Sequence, residues 1–458
     1  MLEMRTTDNT VKPLDDTVPF GETVSDETIK DLQYIANIKL KDIKLDEYPN
    51  LLVFPREWNS HKDDLGNSEI FSLSNDKKIT TSNIMGFIGY KNTNLTIASR
   101  FAAKDNKDYF LYYMFCKLMK YNVFNLNPSG GKSDMLDLLP FFFPIFLKRA
   151  LSQGLYREYK RNEYNNANMR GVVDIKRHLR LNVPFAGKMA YSTREYSCDN
   201  PVMQLIRHTI EYIKTKEYNS ILTADSDTFS DVNQIMFASH GYDKNSRQRV
   251  IDANQKKPVV HPYFTEYKPL QRLCIRIMTE EKISANNENE KIHGILFDGA
   301  WLWEEYLNTI LSEIGFEHPQ NKAGKGGAYL FREKETKKLL GEIFPDFVMK
   351  TPSAIADAKY KYLEDRVNNH DYFQLIAYMS RFDAKKGYLV FPYSKEEQFK
   401  SKTLLLLKGF DKQHGDSEIS LVGMAIPNHE RIGNFRGFMA KMKNSEDELK
   451  GMFAYHLR

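Results

Sequence analysis

Asp357 stands inside an otherwise apolar, small-residue run, Ala354 to Tyr360 (AIADAKY), directly after the turn signal Thr351-Pro352-Ser353. A short apolar run after turn residues reads as a buried strand, and a lone charge buried there needs a cation or a wet cleft. Side chains alternate along a strand, so Asp357 and Lys359 share one face while Ala356, Ala358 and Tyr360 turn away. The preceding run, Glu342 to Met349 (EIFPDFVM), reads as the neighbouring strand. A four-residue loop from Lys350 to Ser353 pairs Met349 with Ala354 and Asp346 with Asp357. Directly opposed Cβ atoms lie about 4.5–5.5 Å apart. Two carboxylates at that distance repel unless a divalent cation sits between them, and acid oxygens with retained waters suit Mg²⁺. A one-residue slip would send Asp346 to the wrong face, so the reading depends on that register. Lys359 beside the cation can hold and polarise a water for attack on phosphorus, while the cation neutralises developing charge.

The flanking sequence supplies a frame for these residues. Ala300 to Ile314 is an amphipathic helix with Trp303, Tyr306, Leu307, Ile310 and Leu311 on or near one face. Glu304 and Glu305 fall in its first two turns, where acids also suit the helix dipole. Either can serve as a third metal ligand, with Glu304 preferred. Lys325-Gly326-Gly327 belongs to a loop, and Ala328 to Phe331 reads as a short strand. A helix over Asp371 to Arg381 places Gln374 and Tyr378 at i and i+4 on one face, and Gly387 to Pro392 (GYLVFP) is another strand. Helix, strand with acid, strand with acid-x-Lys, helix and strand is the order of the PD-(D/E)xK nuclease core, here carried by Pro345, Asp346, Asp357 and Lys359. The Q-x-x-x-Y helix resembles that of RecB-type members. Of eleven histidines, only His370 is placed suggestively, as a DNA contact beside this helix.

Upstream, the text is organised by charge. The first 50 residues carry six basic and eleven acidic side chains, and read as an extension with one helix near Asp26 to Ala36. Asn83 to Phe101 reads as two strands around a Lys-Asn-Thr-Asn turn, and Tyr109 to Tyr121 as a buried helix. Between Lys148 and Arg194 the sign reverses, with eleven Lys or Arg against three acids, in a chain whose overall charge is only +5. Tyr156, Tyr159, Tyr164 and Tyr191 are interleaved there, and clustered cations with aromatics suit phosphate contact and base stacking. Arg157, Lys160, Arg161, Arg170, Lys176, Arg177 and Arg180 are the candidate DNA contacts. Asn200 to Lys214 and Tyr267 to Glu280 have helical periodicity, Asp225 to Lys257 is polar and partly loop-like, and Glu280 to Lys291 is a linker candidate. Length at roughly 150 residues per domain suggests three parts. They are an acidic extension (1–80), a mixed α/β partner-docking and basic region (81–290) and a nuclease domain (291–458). The fold class is α/β, or α+β overall.

Several functions are excluded by what is missing. Gly130-Gly131-Lys132-Ser133 lacks the first glycine of a phosphate loop, since position 126 is Leu126, so this chain binds no nucleotide of its own. No G-x-S-x-G elbow supports a serine hydrolase. Three cysteines, Cys116, Cys198 and Cys274, are too scattered for a disulfide framework or zinc cluster and fit a reducing cytoplasm. The longest apolar run, Leu138 to Leu147, has ten residues with two prolines, far short of a membrane span.

Seven segments, in order, resemble McrC, the nuclease subunit of McrBC modification-dependent restriction systems. They are Met169 to Arg180, Arg194 to Ile210, Leu302 to Leu307 (LWEEYL), FPDFVM, AIADAKYKY, Asp371 to Met379 (DYFQLIAYM) and GYLVFPYS. The resemblance spans roughly Gly86 to Asn428 and implies a C-terminal PD-(D/E)xK restriction-endonuclease-like domain. It implies a partner too: a hexameric AAA+ GTPase of McrB type that consumes GTP, recognises modified double-stranded DNA, translocates, and is stimulated by the N-terminal region of this chain. By motif, Asp346 and Asp357 are metal ligands, Lys359 is the catalytic lysine, and Gln374 and Tyr378 support it. Mg²⁺ is the implied cofactor, with Mn²⁺ as substitute. The first 80 or so residues exceed the compact version of the family, and LWEEYL offers two glutamates for one ligand position. The sequence thus supports a Mg²⁺-dependent endonuclease subunit leaving 5′-phosphate and 3′-hydroxyl ends. The competing readings are a non-catalytic DNA-binding adaptor that stimulates the motor and a stand-alone RecB-type repair nuclease.

Overall fold

The computed structural model describes residues 2–19, 21–36, 38–39, 50–54, 69–91, 93–102, 108–118, 139–216, 219–279, 292–319, 327–361, 367–394, 401–408, 413–428, 432 and 434–457. The glycine-lysine loop at 127–132 and the linker candidate at 280–291 lie outside them. The chain divides into two compact units, one made of residues 1–137 and 286–458, the other of residues 138–285. The first unit is therefore discontinuous in sequence, which the linear three-part division did not anticipate.

The first unit contains two five-stranded sheets. One has the order Leu2–Thr7, Thr93–Ala98, Ile84–Tyr90, His293–Asp298 and Asn50–Phe54. Its outer pairs are parallel and its inner pairs antiparallel. The acidic opening thus contributes an edge strand, because Met4 and its neighbours bring apolar side chains to a core shared with Leu32, Ile35, Ile88 and Leu296. The helix expected near Asp26 runs Asp26–Ile35, capped by the Ser25 side chain on the Thr28 amide. Two strands of this sheet meet at unusually close range. A Cβ on Gly86 (φ +132°) would stand 1.9 Å from the Ile295 carbonyl oxygen, and one on Gly294 (φ +155°) 2.2 Å from that of Phe87. Only glycine combines that backbone angle with that approach.

The second sheet has the order Phe347–Lys350, Ser353–Ala358, Lys386–Ser394, Gln413–Ile426 and Lys402–Lys408. Three consecutive strands at its centre run parallel, with antiparallel pairs at both edges. Helix Asn369–Arg381 packs Leu375, Tyr378 and Met379 on one face of it, over Ile355 and Leu389. The expected strand Glu342–Met349 is broken in two. Leu339–Ile343 pairs with Ala328–Arg332 in a separate ribbon, and Phe347–Lys350 enters the sheet. Pro345 lies at the break and has no N–H to give a ladder.

Three helices of the same unit converge on one buried carboxylate. Glu446, on Phe435–Leu457, accepts from the Tyr113 hydroxyl at 2.7 Å, the Tyr306 hydroxyl at 2.9 Å and the Lys117 ammonium at 2.7 Å. Helices Tyr109–Leu118 and Gly299–Leu311 are thereby tied to the C-terminal helix.

The second unit is mostly helical, with a three-stranded sheet of Glu158–Asn166, Met189–Ser197 and Val172–Val173. Helices Pro201–Lys214 and Tyr267–Thr279 match the expected periodicity. Asp225 to Lys257, expected to be partly loop-like, forms helices Ser226–Ala238 and Arg247–Lys256 around a connection at 239–246. Their wet faces hide a narrow apolar stripe (Val232, Ile235, Val250, Ile251) that suffices for packing. Among the described residues no helix is long and apolar enough to cross a membrane.

Gly86→Ala is expected to destabilise the protein by about 2 kcal/mol or more, since the strands must part to admit a methyl group. A lowered urea midpoint at unchanged slope is the check, and an unchanged midpoint would contradict the close-approach account.

Candidate active site

The turn after Phe347–Lys350 is tighter than the expected four-residue loop, because Lys350 itself pairs with Ser353, but the register is the one that alternation implies. Met349 faces Ala354 and Phe347 faces Ala356. Asp346, immediately before the strand, follows in step with Asp357. Its Oδ2 accepts the Ala358 amide at 2.8 Å, which fixes the carboxylate beside the Asp357 strand.

Asp357 is 1% exposed. Lys359 Nζ stands 2.6 Å from its Oδ2 and donates to Gln374 Oε1 at 2.9 Å. Gln374 Nε2 in turn donates to the Tyr378 hydroxyl at 2.8 Å, so the tyrosine sets which end of the amide faces the lysine. Asp346, Asp357, Lys359, Gln374 and Tyr378 are thus brought into one cluster. Burial, then the neighbouring Asp346 carboxylate, pushes the Asp357 carboxyl up to about 7, against the opposing pull of Lys359. Burial works to lower the affinity of Lys359 for its proton, but Asp357, Asp346 and Asp371 outweigh it and hold the ammonium above the usual lysine range. Burial also lifts the Tyr378 hydroxyl, to about 12.

Two further groups belong to the site and left no mark in the sequence. Asp371, buried in the first turn of helix Asn369–Arg381, lies 2.6 Å from Lys361 Nζ and 3.7 Å from Lys359 Nζ. His318 crosses beside Phe347–Lys350, where Glu317 bridges to Val348. Its Nδ1 lies 2.8 Å from the Asp346 carbonyl oxygen, and its Nε2 3.7 Å from both Glu304 and Glu305. Burial disfavours the imidazolium, yet Glu305, Glu304 and the Asp346 carbonyl together push its pKa up to about 9. Protonated, the ring donates from Nδ1 to the Asp346 carbonyl and faces both helix glutamates with its charge. No spacing rule could single out His318, because the contact is made by a bridge between segments rather than by a motif. His370, the histidine singled out from sequence, is exposed at the helix start.

Three carboxylates (Asp346, Asp357, Asp371) face two ammonium groups (Lys359, Lys361), and Asp357 holds its proton unusually tightly. That imbalance and an all-oxygen donor set fit a cation such as Mg²⁺, which commonly uses one or two carboxylates and keeps its waters. Among the described residues no group of three or more His, Cys, Asp or Glu is disposed to hold a metal. The fit therefore rests on Asp346 and Asp357. Glu304, expected as a third ligand, stands against His318.

In the second unit, Arg157, Lys160, Arg161, Arg170, Lys176 and Arg180 are exposed. Arg177 is not available as expected. Its guanidinium pairs with Glu163 at 2.8 Å and donates to the Tyr164 carbonyl at 2.5 Å, so it fastens helix Ile175–Leu181 to the sheet. Lys160 lies 3.8 Å from Asp199, and Arg161 4.0 Å from Asp174.

The family model for the McrBC 5-methylcytosine restriction system component matches residues 79–392. No curated protein matches the chain. Solved structures similar to it include two from Thermococcus gammatolerans. A chain of the half-complex refined from a tetradecameric assembly of Thermococcus gammatolerans McrB AAA+ hexamers with bound McrC has a TM-score of 0.46 and 16% identity. That match covers 96% of this chain and 99% of the other. A chain of the cryo-EM structure of the Thermococcus gammatolerans McrBC complex has a TM-score of 0.30 and 14% identity, over 68% of this chain and 87% of the other. The family model spans well over half of the sequence and takes in the Asp346, Asp357 and Lys359 cluster, and the chain belongs to the McrBC 5-methylcytosine restriction system component family.

Proposed function

We propose that this chain is the nuclease subunit of a McrBC-type restriction complex, a Mg²⁺-dependent endodeoxyribonuclease of the PD-(D/E)xK class acting in the cytoplasm in phage defence. The observation that carries the reading is a buried Asp357 in an apolar strand, with Asp346, Lys359, Gln374 and Tyr378 gathered around it. A hexameric AAA+ GTPase of McrB type would be its partner, spending GTP to bring it to modified double-stranded DNA and being stimulated in return. One of the T. gammatolerans structures is described as McrB AAA+ hexamers with bound McrC.

In this reading Asp346 and Asp357 hold the Mg²⁺, or Mn²⁺ in its place. When bound there, the cation would supply charge neutralisation at the scissile phosphate and help activate water for attack. Lys359 is held by Asp357 and Gln374, with Asp371 3.7 Å away, and its ammonium would orient an attacking water or a phosphate oxygen. Tyr378 keeps Gln374 turned so that its carbonyl, not its amide nitrogen, meets Lys359. Asp371 takes up Lys361 and limits how far the Lys359 ammonium can swing. Glu304 and Glu305 act through His318, whose hydrogen bond fixes the Asp346 backbone. The exposed cations Arg157, Lys160, Arg161, Arg170, Lys176 and Arg180 would meet phosphates, whereas Arg177 serves its own fold.

Two outcomes test this. The chain purified with its AAA+ partner is expected to cut methylated plasmid in the presence of Mg²⁺ and GTP, and Asp357→Asn to lower the rate by about three orders of magnitude, about 4 kcal/mol. Cutting without partner or GTP would favour a stand-alone repair nuclease. Equal behaviour of wild type and variant, with partner hydrolysis still stimulated, would favour the adaptor.

The second outcome concerns stability. Asp357 binds its proton more tightly folded than unfolded, so the stability it contributes is present in acid and is lost as pH rises from about 4 to about 7. Asp357→Asn fixes the neutral form. In EDTA at pH 8 the variant is expected to melt at a higher temperature than wild type, with the gain shrinking as pH falls from 7 toward 4. A lower melting temperature at pH 8 would show that Asp357 supports the fold rather than a cation.

A further inference from the structure

Lys359 lies past the end of its strand. The last ladder pair is Ala358 with Val390, and one more hydrogen bond, from the Lys359 amide to the Val390 carbonyl at 2.9 Å, is what the sheet still offers it. A strand end held by one bond frays readily, yet the proposed chemistry needs the Lys359 amine fixed to a fraction of an ångström. The next residue supplies the anchor. Tyr360 turns to the opposite side from Lys359 and is 4% exposed.

The Tyr360 ring is gripped from three directions within the first unit. Arg100 lays its guanidinium over the ring, with Cζ 4.5 Å from the centroid. Gly299, at the start of the helix that carries Glu304, packs so tightly that a Cβ there would stand 2.8 Å from Tyr360 Cε1. The Tyr360 hydroxyl reaches Met85 Sδ at 3.7 Å.

Arg100 is itself fixed, and by the opening segment of the chain. Asp8 Oδ1 accepts the Arg100 backbone amide at 2.6 Å, and Asp8 Oδ2 accepts Nε and Nη2 at 3.1 and 2.6 Å. Nη2 also donates to Asn83 Oδ1 at 3.0 Å. The side chains are 7% and 0% exposed for Arg100 and Asp8. Parallel strands Leu2–Thr7 and Thr93–Ala98 end side by side, which delivers both residues to the same place. A buried ion pair is a poor way to gain stability compared with apolar packing, but a two-pronged fork fixes the plane of the guanidinium.

We infer that Arg100, oriented by Asp8, is a positioning residue for Lys359, acting through the ring of Tyr360, so that the first strand of the chain is part of the nuclease site's support. The inference rests on the proposed function only for the role of Lys359.

The test uses the full chain, alone for hydrogen exchange and with its AAA+ partner for cleavage. Variants are Tyr360→Leu, which removes the ring, Arg100→Lys, which keeps the charge opposite Asp8 but loses the fork and the stacking, and Tyr360→Phe, which keeps the ring. Tyr360→Leu and Arg100→Lys are expected to speed amide exchange in the peptide spanning residues 357–361 by about tenfold or more, with helix Pro201–Lys214 unchanged. They are expected to slow single-turnover cleavage by about tenfold while the DNA concentration for half-maximal rate stays put, and Tyr360→Phe to match wild type in both. Unchanged exchange in that peptide, or a rate loss that tracks a rise in exchange throughout the chain, overturns the inference. Should Tyr360→Leu not fold, Arg100→Lys decides. If wild type does not cut, the nuclease reading falls, while the exchange result still decides whether the clamp holds the strand.

Discussion

Asp357 is a buried carboxylate set between Ala356 and Ala358 and beside Leu389. Such a group is unfavourable unless something positive meets it, and the surroundings are arranged around that demand. Lys359 meets it from the same strand face, Gln374 holds Lys359, and Tyr378 holds Gln374. The lysine does not settle the balance: Asp346 and Asp371 add negative charge to the same small volume, and the Asp357 proton is still held up to about 7. A protein selected for stability alone would place a valine there. The residual negative charge is the physical reason the cluster suits a cation.

Support for that cluster comes from distant parts of the sequence. The helix carrying Glu304 is locked on one side by Glu446, through Tyr306, and touches Tyr360 through Gly299. His318 links its glutamates to the Asp346 backbone. The opening strand brings Asp8, and the hairpin after it brings Arg100. The site is thus built on a strand pair and one helix but tensioned by four other segments.

This division explains what could be read from the sequence. Alternation and a turn signal were enough to place Asp346 in step with Asp357, because strand geometry is local. The i, i+4 spacing of Gln374 and Tyr378 was legible for the same reason. His318 and the Asp8–Arg100 pair were not, since each acts through a contact between separate segments, and Asp371 was not, since an acid in a first helical turn is ordinary there. Arg177 looked like one more cation in a basic run, and its pairing with Glu163 depends on how a helix folds back on a sheet. The polar stretch from Asp225 hid two helices because a surface helix needs only one apolar residue per turn on its inner face.

In the first sheet, Ile84–Tyr90 lies against His293–Asp298, although a whole compact unit separates the two in sequence. During synthesis the ribosome must therefore release residues 138–285 before the central pair of that sheet can form. The inserted unit has its own core and can fold as it emerges, whereas strands Leu2–Thr7, Ile84–Tyr90 and Thr93–Ala98 wait, half paired, for a partner. The Asp8–Arg100 clamp can assemble early but has no ring to grip until Tyr360 is made. Completion of the Asp357 cluster is in this way deferred until late in translation, after the segments that restrain it already exist.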